Sequence, residues 1–108
     1  MTLTRRQRIE AMLVSEPRDL LLRYSLAMEW QKEGEHERSL AGFRELMQES
    51  PPYVPAFFRT GQMLVELGRI AEARTALRDG IEVAREQRDA HAAGEMSEFL
   101  AQLGALGD

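Results

Sequence analysis

The chain has no cysteine, no asparagine and a single lysine, Lys32, against thirteen arginines. Without cysteine there is neither a disulfide nor a thiolate metal site to staple the fold, so an apolar core must hold it alone. Aromatic residues make up only 6% of the chain, and β-branched residues are scarce, which removes most of the composition that favours strands. Only two histidines are present, His36 and His91. No run approaches the ~18 apolar residues of a membrane span. The basic start, with Arg5, Arg6 and Arg8, is followed by no apolar stretch of the kind a secretory leader needs, so the expected location is the cytoplasm. Glycine-rich phosphate loops, nucleophile elbows and paired-acid motifs are also missing.

What is present is the composition of a helical domain. The 108 residues are 44% apolar and 30% charged, which excludes disorder and suits one domain with a modest core. Leu, Ala, Glu and Arg dominate, so helix propensity is high nearly throughout. The net charge of −4 and a pI near 5.2 oppose duplex nucleic acid and anionic membranes on average. The partner expected is another protein, with no nucleic acid, no membrane and no cofactor.

The clearest internal signal is a repeat. Trp30 to Phe43 reads as the tail of one helix, a glycine stop at Gly34 and the start of a returning helix. Leu64 to Leu77 does the same around Gly68. Gly34 and Gly68, Pro17 and Pro51, Trp30 and Leu64, and Phe43 and Leu77 share one stride of 34 residues. Two copies of a helical hairpin follow, and they are flanked by one more helix at each end.

In chain order, Thr4 with Gln7 is a capping-box signature that opens a helix over roughly residues 4–14, with Ile9, Met12 and Leu13 as a narrow stripe. Ser15-Glu16-Pro17 ends it. Residues 19–33 form a helix whose only mostly polar arc holds Ser25, Glu29, Lys32 and Glu33, so it needs neighbours on more than one side. The first returning arm, 36–49, turns Leu40, Phe43, Leu46 and Met47 inward. Pro55 fits the first turn of the helix over 54–67. Its return arm, 70–87, turns Ile70, Ala73, Leu77, Ile81 and Ala84 inward, and Gly80 within it marks a close helix approach. The last helix, 89–103, carries Ala92, Met96, Phe99, Leu100 and Leu103, and residues 104–108 fray. The expected core includes Trp30.

A helix–turn–helix period of this length resembles the tetratricopeptide repeat, whose pattern runs W-x2-L-G-x2-Y, A-x3-F, P. The second unit offers Phe57-x2-Thr60-Gly61-x2-Leu64 and then Ala73-x3-Leu77. The first offers Arg23-x2-Leu26-Ala27-x2-Trp30, then Ser39-x3-Phe43 and Pro51. Arg23 replaces the large aromatic, Ser39 the small alanine and Arg85 the terminal proline. The resemblance implies an all-α superhelix of tetratricopeptide-like hairpins: a single domain over 1–103 with six antiparallel helices in a right-handed stack. It comprises an opening half-repeat at 4–14, hairpins at 19–51 and 53–87, and a capping helix at 89–103. Each hairpin buries its apolar face against the next.

The resemblance further implies a concave groove lined by the first helix of each hairpin, holding a peptide or a helix of a partner protein. Carried onto this chain, the groove residues are Leu21, Tyr24, Ser25, Met28 and Lys32 in the first hairpin, and Phe58, Arg59, Gln62 and Glu66 in the second. One subclass clamps a C-terminal carboxylate with asparagine and lysine on these faces. This chain has no asparagine and holds Tyr24, Met28, Phe58 and Gln62 there, so a largely apolar ligand fits better. In so short a stack, the opening or closing helix can also fold over part of the groove.

Three other features have plainer accounts. Arg5, Arg6 and Arg8 form the one local basic cluster, which reads as a solvated helix face beside Glu10 and Glu16. His91 and Glu95 are one helical turn apart, two ligands where a metal site needs three or four. Carboxylate pairs such as Glu45 with Glu49 suit solubility. The expectation is a non-catalytic protein with no catalytic or metal-binding residue. The rival to peptide binding is a self-associating structural protein whose end helices or grooves pair between copies, and the chain is expected to be a monomer or a weak homo-oligomer.

Overall fold

A computed structural model describes residues 2–105. Six α-helices and no strand make up these residues: α1 (Arg5–Ser15), α2 (Leu20–Lys32), α3 (His36–Met47), α4 (Val54–Glu66), α5 (Ile70–Glu86) and α6 (Ala90–Ala105). The all-α hairpin architecture follows from local chemistry at the helix ends. At α1 the Thr4 hydroxyl accepts from the Gln7 N–H at 3.1 Å, and the Gln7 side-chain carbonyl accepts from the Thr4 N–H at 2.9 Å. This closes a reciprocal capping box. Asp19 accepts from the Leu22 N–H at 2.8 Å, and Asp89 from the Ala92 N–H at 3.0 Å, so aspartate opens α2 and α6. Each such cap contributes about 1 kcal/mol. The α6 helix runs past Leu103 to Ala105; residues 106–108 of the expected tail lie outside the described residues.

Three helix ends close in one way. The Glu35 N–H donates to the Trp30 carbonyl at 2.9 Å, Arg69 to Leu64 at 2.8 Å, and Asp89 to Ala84 at 2.8 Å. The residue before each donor is left-handed: Gly34 at φ 81°, Gly68 at φ 76° and Arg88 at φ 61°. This six-to-one closure satisfies a carbonyl that the helix end would leave open. Two of the three ends use glycine, for which a positive φ costs nothing. The third holds arginine, and the sequence carries no sign of it.

The helices gather into two compact units, one ending at Tyr53 and the other beginning at Val54. In the first, α3 packs on α2, and Ala27, Leu40, Phe43 and Leu46 are completely buried. Gly42 permits the approach, since a Cβ there would lie 3.2 Å from the Ala27 Cβ and 3.5 Å from the Trp30 ring. The buried Ser39 hydroxyl donates to the Ala27 carbonyl at 2.6 Å. Serine at this small-residue position is therefore satisfied rather than a defect. Trp30 is only half-buried. Its ring lies under the Arg38 guanidinium at 5.3 Å, and its Nε1 has no hydrogen-bond partner among the described residues.

The α1 helix lies along α2, against the expected polar arc. Arg6 Nε donates to both Glu33 carboxylate oxygens at 2.8 and 2.9 Å, and Arg6 also reaches Glu10 at 2.8 Å. Arg5 stands 3.4 Å from Glu29, which also accepts from Lys32 at 3.1 Å. Glu29 is only 9% exposed. The mostly polar arc is where α1 docks, through ion pairs to Glu29 and Glu33 beside the buried Ile9. Arg5 and Arg6 are therefore paired across helices rather than merely solvated. Arg23, at the place of the missing aromatic, forms an ion pair with Glu49.

In the second unit α5 lies between α4 and α6 and packs on both. The small residues are the key to this arrangement. A Cβ on Gly80 would fall 2.5 Å from the Phe57 Cβ and 2.6 Å from the Met96 Sδ, so α4, α5 and α6 converge there with no room for a methyl group. At Gly61 a Cβ would lie 2.7 Å from Leu77 Cδ2. Ala73, Leu77, Ala84 and Met96 are fully buried around these crossings. The two hairpins distribute bulk differently. The second has Phe57 on its first helix facing Gly80 on the next, whereas the equivalent places in the first hold Arg23 and the buried Leu46.

Candidate functional site

The nine expected groove residues fall on α2 and α4, and each unit is described by itself. On α2, Tyr24 is half-buried between two other rings, with centroids 5.5 Å from Phe43 and 5.6 Å from Tyr53. Such tilted ring packing is a favourable aromatic arrangement. Burial, then the neighbouring Tyr24 and Asp19, raise the Tyr53 phenol above its ordinary value of 10.0. Lys32 is held by Glu29, and Met28 is half-buried and engaged. Leu21 and Ser25 do come together. They share a cleft of about 380 Å³ with residues of α1, among them Arg8 and Met12. The opening helix thus lies against one side of the α2 face, and periodicity within α2 alone could not show it.

On α4, Arg59, Gln62 and Glu66 line one open cleft of about 320 Å³. Val65 and Phe99 complete it; neither was among the expected site residues. Phe99 arrives from α6 and meets Phe58 edge to face at 5.6 Å and 60°. Phe58 is accordingly half-buried and forms a wall rather than a free floor. The apolar stripe of α6 was the one signal that could have placed Phe99 here. The cleft offers a guanidinium, an amide and a carboxylate beside an aromatic edge, which can hold a peptide by hydrogen bonds and apolar contact.

His91 Nε2 is 3.3 Å from a Glu95 carboxylate oxygen on the open surface of α6. Among the described residues no three His, Cys, Asp or Glu side chains gather as a metal would require. No helix of the described residues is long and apolar enough to cross a membrane.

Comparison with known proteins places this geometry. A tetratricopeptide repeat domain protein from Salinibacter ruber, solved in solution, superimposes with a TM-score of 0.78 at 33% identity, covering 83% of this chain and 91% of its own. A crystal structure of such a domain from the same organism gives 0.73 at 32% identity, covering 82% and 99%. The solution structure of a Bordetella parapertussis protein gives 0.81 at 27% identity, covering 96% and 90%. No family model and no curated protein matches the chain. With the in-phase hairpins, their left-handed glycine turns and relatives matched over most of both chains, the chain belongs to the tetratricopeptide repeat family.

Proposed function

We propose that this chain is a non-catalytic interaction module that holds a peptide or helix of a partner protein. It would do so on the first helices of its hairpins, through Leu21, Tyr24, Ser25, Met28 and Lys32 on α2 and Phe58, Arg59, Gln62 and Glu66 on α4. Membership of a family whose fold generally serves protein–protein interaction supports the reading. The observation that carries it is the α4 cleft, where Arg59, Gln62 and Glu66 line one opening against the Phe99 ring. Both charge signs, an amide and an apolar edge are the elements that fix a peptide's orientation and register. Affinity in the micromolar range, about −8 kcal/mol, is expected of so small a surface.

The test is affinity capture with the wild type and with an Arg59→Glu/Gln62→Ala variant, after circular dichroism shows the variant folded. The variant is expected to lose partners that the wild type retains. Identical partner sets would remove the α4 face from consideration.

Self-association is the second reading. It is favoured by the exposed apolar residues Leu3, Met12, Val14 and Leu21, all in the first unit. Light scattering at rising concentration separates the two, because a strict monomer excludes the second.

A further inference from the structure

The cleft between α1 and α2 has a composition that the α4 face lacks. Its lining is mainly apolar, with Ile9, Met12, Leu21 and Leu22 beside Ser25, and it includes Arg5 and Arg8. Met12 is 49% exposed and Leu21 63%. A single exposed leucine needs no account, but here two exposed apolar side chains share one opening of about 380 Å³.

Arg8 is the informative residue. One and two strides of 34 residues further on stand Gly42 and Ala76. At Gly42 the small residue lets the first helix of the hairpin close in, since a Cβ there would already lie 3.2 Å from Ala27. The equivalent place in α1 holds the long, charged side chain of arginine. It sets a cation beside the apolar lining instead. Arg6 is taken up by Glu10 and Glu33, and Arg5 stands 3.4 Å from Glu29. Arg8 has no ion pair among the described residues, and no carboxylate lines the cleft. On a chain of net charge −4 this is a local reversal of sign.

We propose that the α1–α2 cleft docks an acidic, leucine-rich amphipathic segment of a partner protein. Its apolar side chains seat on Met12 and Leu21, and an aspartate or glutamate pairs with Arg8, a geometry in which guanidinium and carboxylate bond in a two-pronged fashion. Charge selects this occupant over a second copy. A symmetric pair would set one Arg8 rim against another, and like charges in a closing interface oppose association. The proposal rests on the chain being an interaction module, but it does not depend on the α4 face.

The probe is a displayed library of random short peptides selected on the intact chain, with binders re-measured by fluorescence anisotropy. Selected peptides are expected to combine acidic residues with leucine or another large apolar residue at helical spacing. Arg8→Glu and, separately, Leu21→Asp weaken them about tenfold or more, which is 1.4 kcal/mol or more, while Arg8→Gln weakens them less. Both positions are on the surface, and circular dichroism melts confirm that each variant is folded. An Arg78→Glu variant, on an exposed face of α5, binds the same peptides unchanged. Selection of neutral or basic peptides, or undiminished binding to Arg8→Glu and Leu21→Asp, overturns the proposal. Loss confined to the Arg59→Glu/Gln62→Ala variant also overturns it and leaves the α4 reading standing. A concentration-dependent dimer abolished by Leu21→Asp overturns it in favour of a second copy.

Discussion

Gly80 and Gly94 are both helical glycines, and they should respond to alanine with opposite signs. At Gly80 the added methyl meets the Phe57 Cβ at 2.5 Å, an atom bound to the backbone that cannot swing aside. Gly80→Ala is therefore expected to destabilise by about 1–3 kcal/mol through overpacking. At Gly94 an added methyl would meet nothing within 4 Å, so Gly94→Ala should stabilise by roughly 0.5–1 kcal/mol from helix propensity alone. Urea denaturation midpoints measure both. Arg88 offers a third case. Its φ of 61° costs a non-glycine residue about 1–2 kcal/mol, partly offset by the ~0.4–1 kcal/mol of extra unfolded-state freedom a glycine brings. Arg88→Gly is expected to raise stability by up to about 1 kcal/mol, and a lowered denaturation midpoint would contradict the strain. Tyr53 gives a pH signature. Its phenol has a raised pKa in the fold, so it contributes stability below the unfolded value of about 10, and this is lost as pH climbs through the higher folded value. Tyr53→Phe should flatten that alkaline loss, as read from denaturation midpoints taken on both sides of pH ~10. Gly80 and the glycine turns could be read from the sequence, because glycine at a repeat position or a helix end has few physical uses. Arg88 could not, since nothing in an arginine announces a left-handed backbone.

Among the elements, the hairpins were legible and the end helices only in part. Helical spacing in residues 36–49 and 70–87 picks out Leu40, Phe43, Leu46, Ala73 and Leu77, all of them fully buried. The same spacing put Glu29 in the one mostly polar arc of α2 and gave no sign of its burial, because it scores a residue on its own helix and cannot see α1 arriving with Arg5 and Arg6. Phe58 was expected on an open floor for the same reason: its partner Phe99 sits on α6, far along the chain. The groove residues Arg59, Gln62 and Glu66 meet in one cleft, whereas Tyr24 turned out to be engaged by Phe43 and Tyr53. The α1 helix contacts α2 and is held there by partly exposed ion pairs around the single buried Ile9. Such pairs weaken as salt screens them. Amide hydrogen exchange should therefore be faster in α1 than in α3, and molar salt should accelerate α1 selectively. Equal acceleration throughout would show that apolar contact, not charge, retains it.

For the whole molecule, an acidic balance with arginine as almost its only cation sets the colloidal behaviour. The pI near 5.2 places the solubility minimum at mildly acidic pH, because self-repulsion vanishes when net charge does. Light scattering across that range should show attraction between molecules peaking close to the pI and fading towards neutrality. The convergence at Gly80 has a further consequence at this scale. With α4, α5 and α6 touching at a point that admits no extra atom, the α6 helix that carries Phe99 is closely packed, and the proposed α4 cleft gains a firm wall. A guest would meet a shape already made, forfeiting little of its binding energy to ordering the host, and its capture would be governed by encounter rather than by rearrangement.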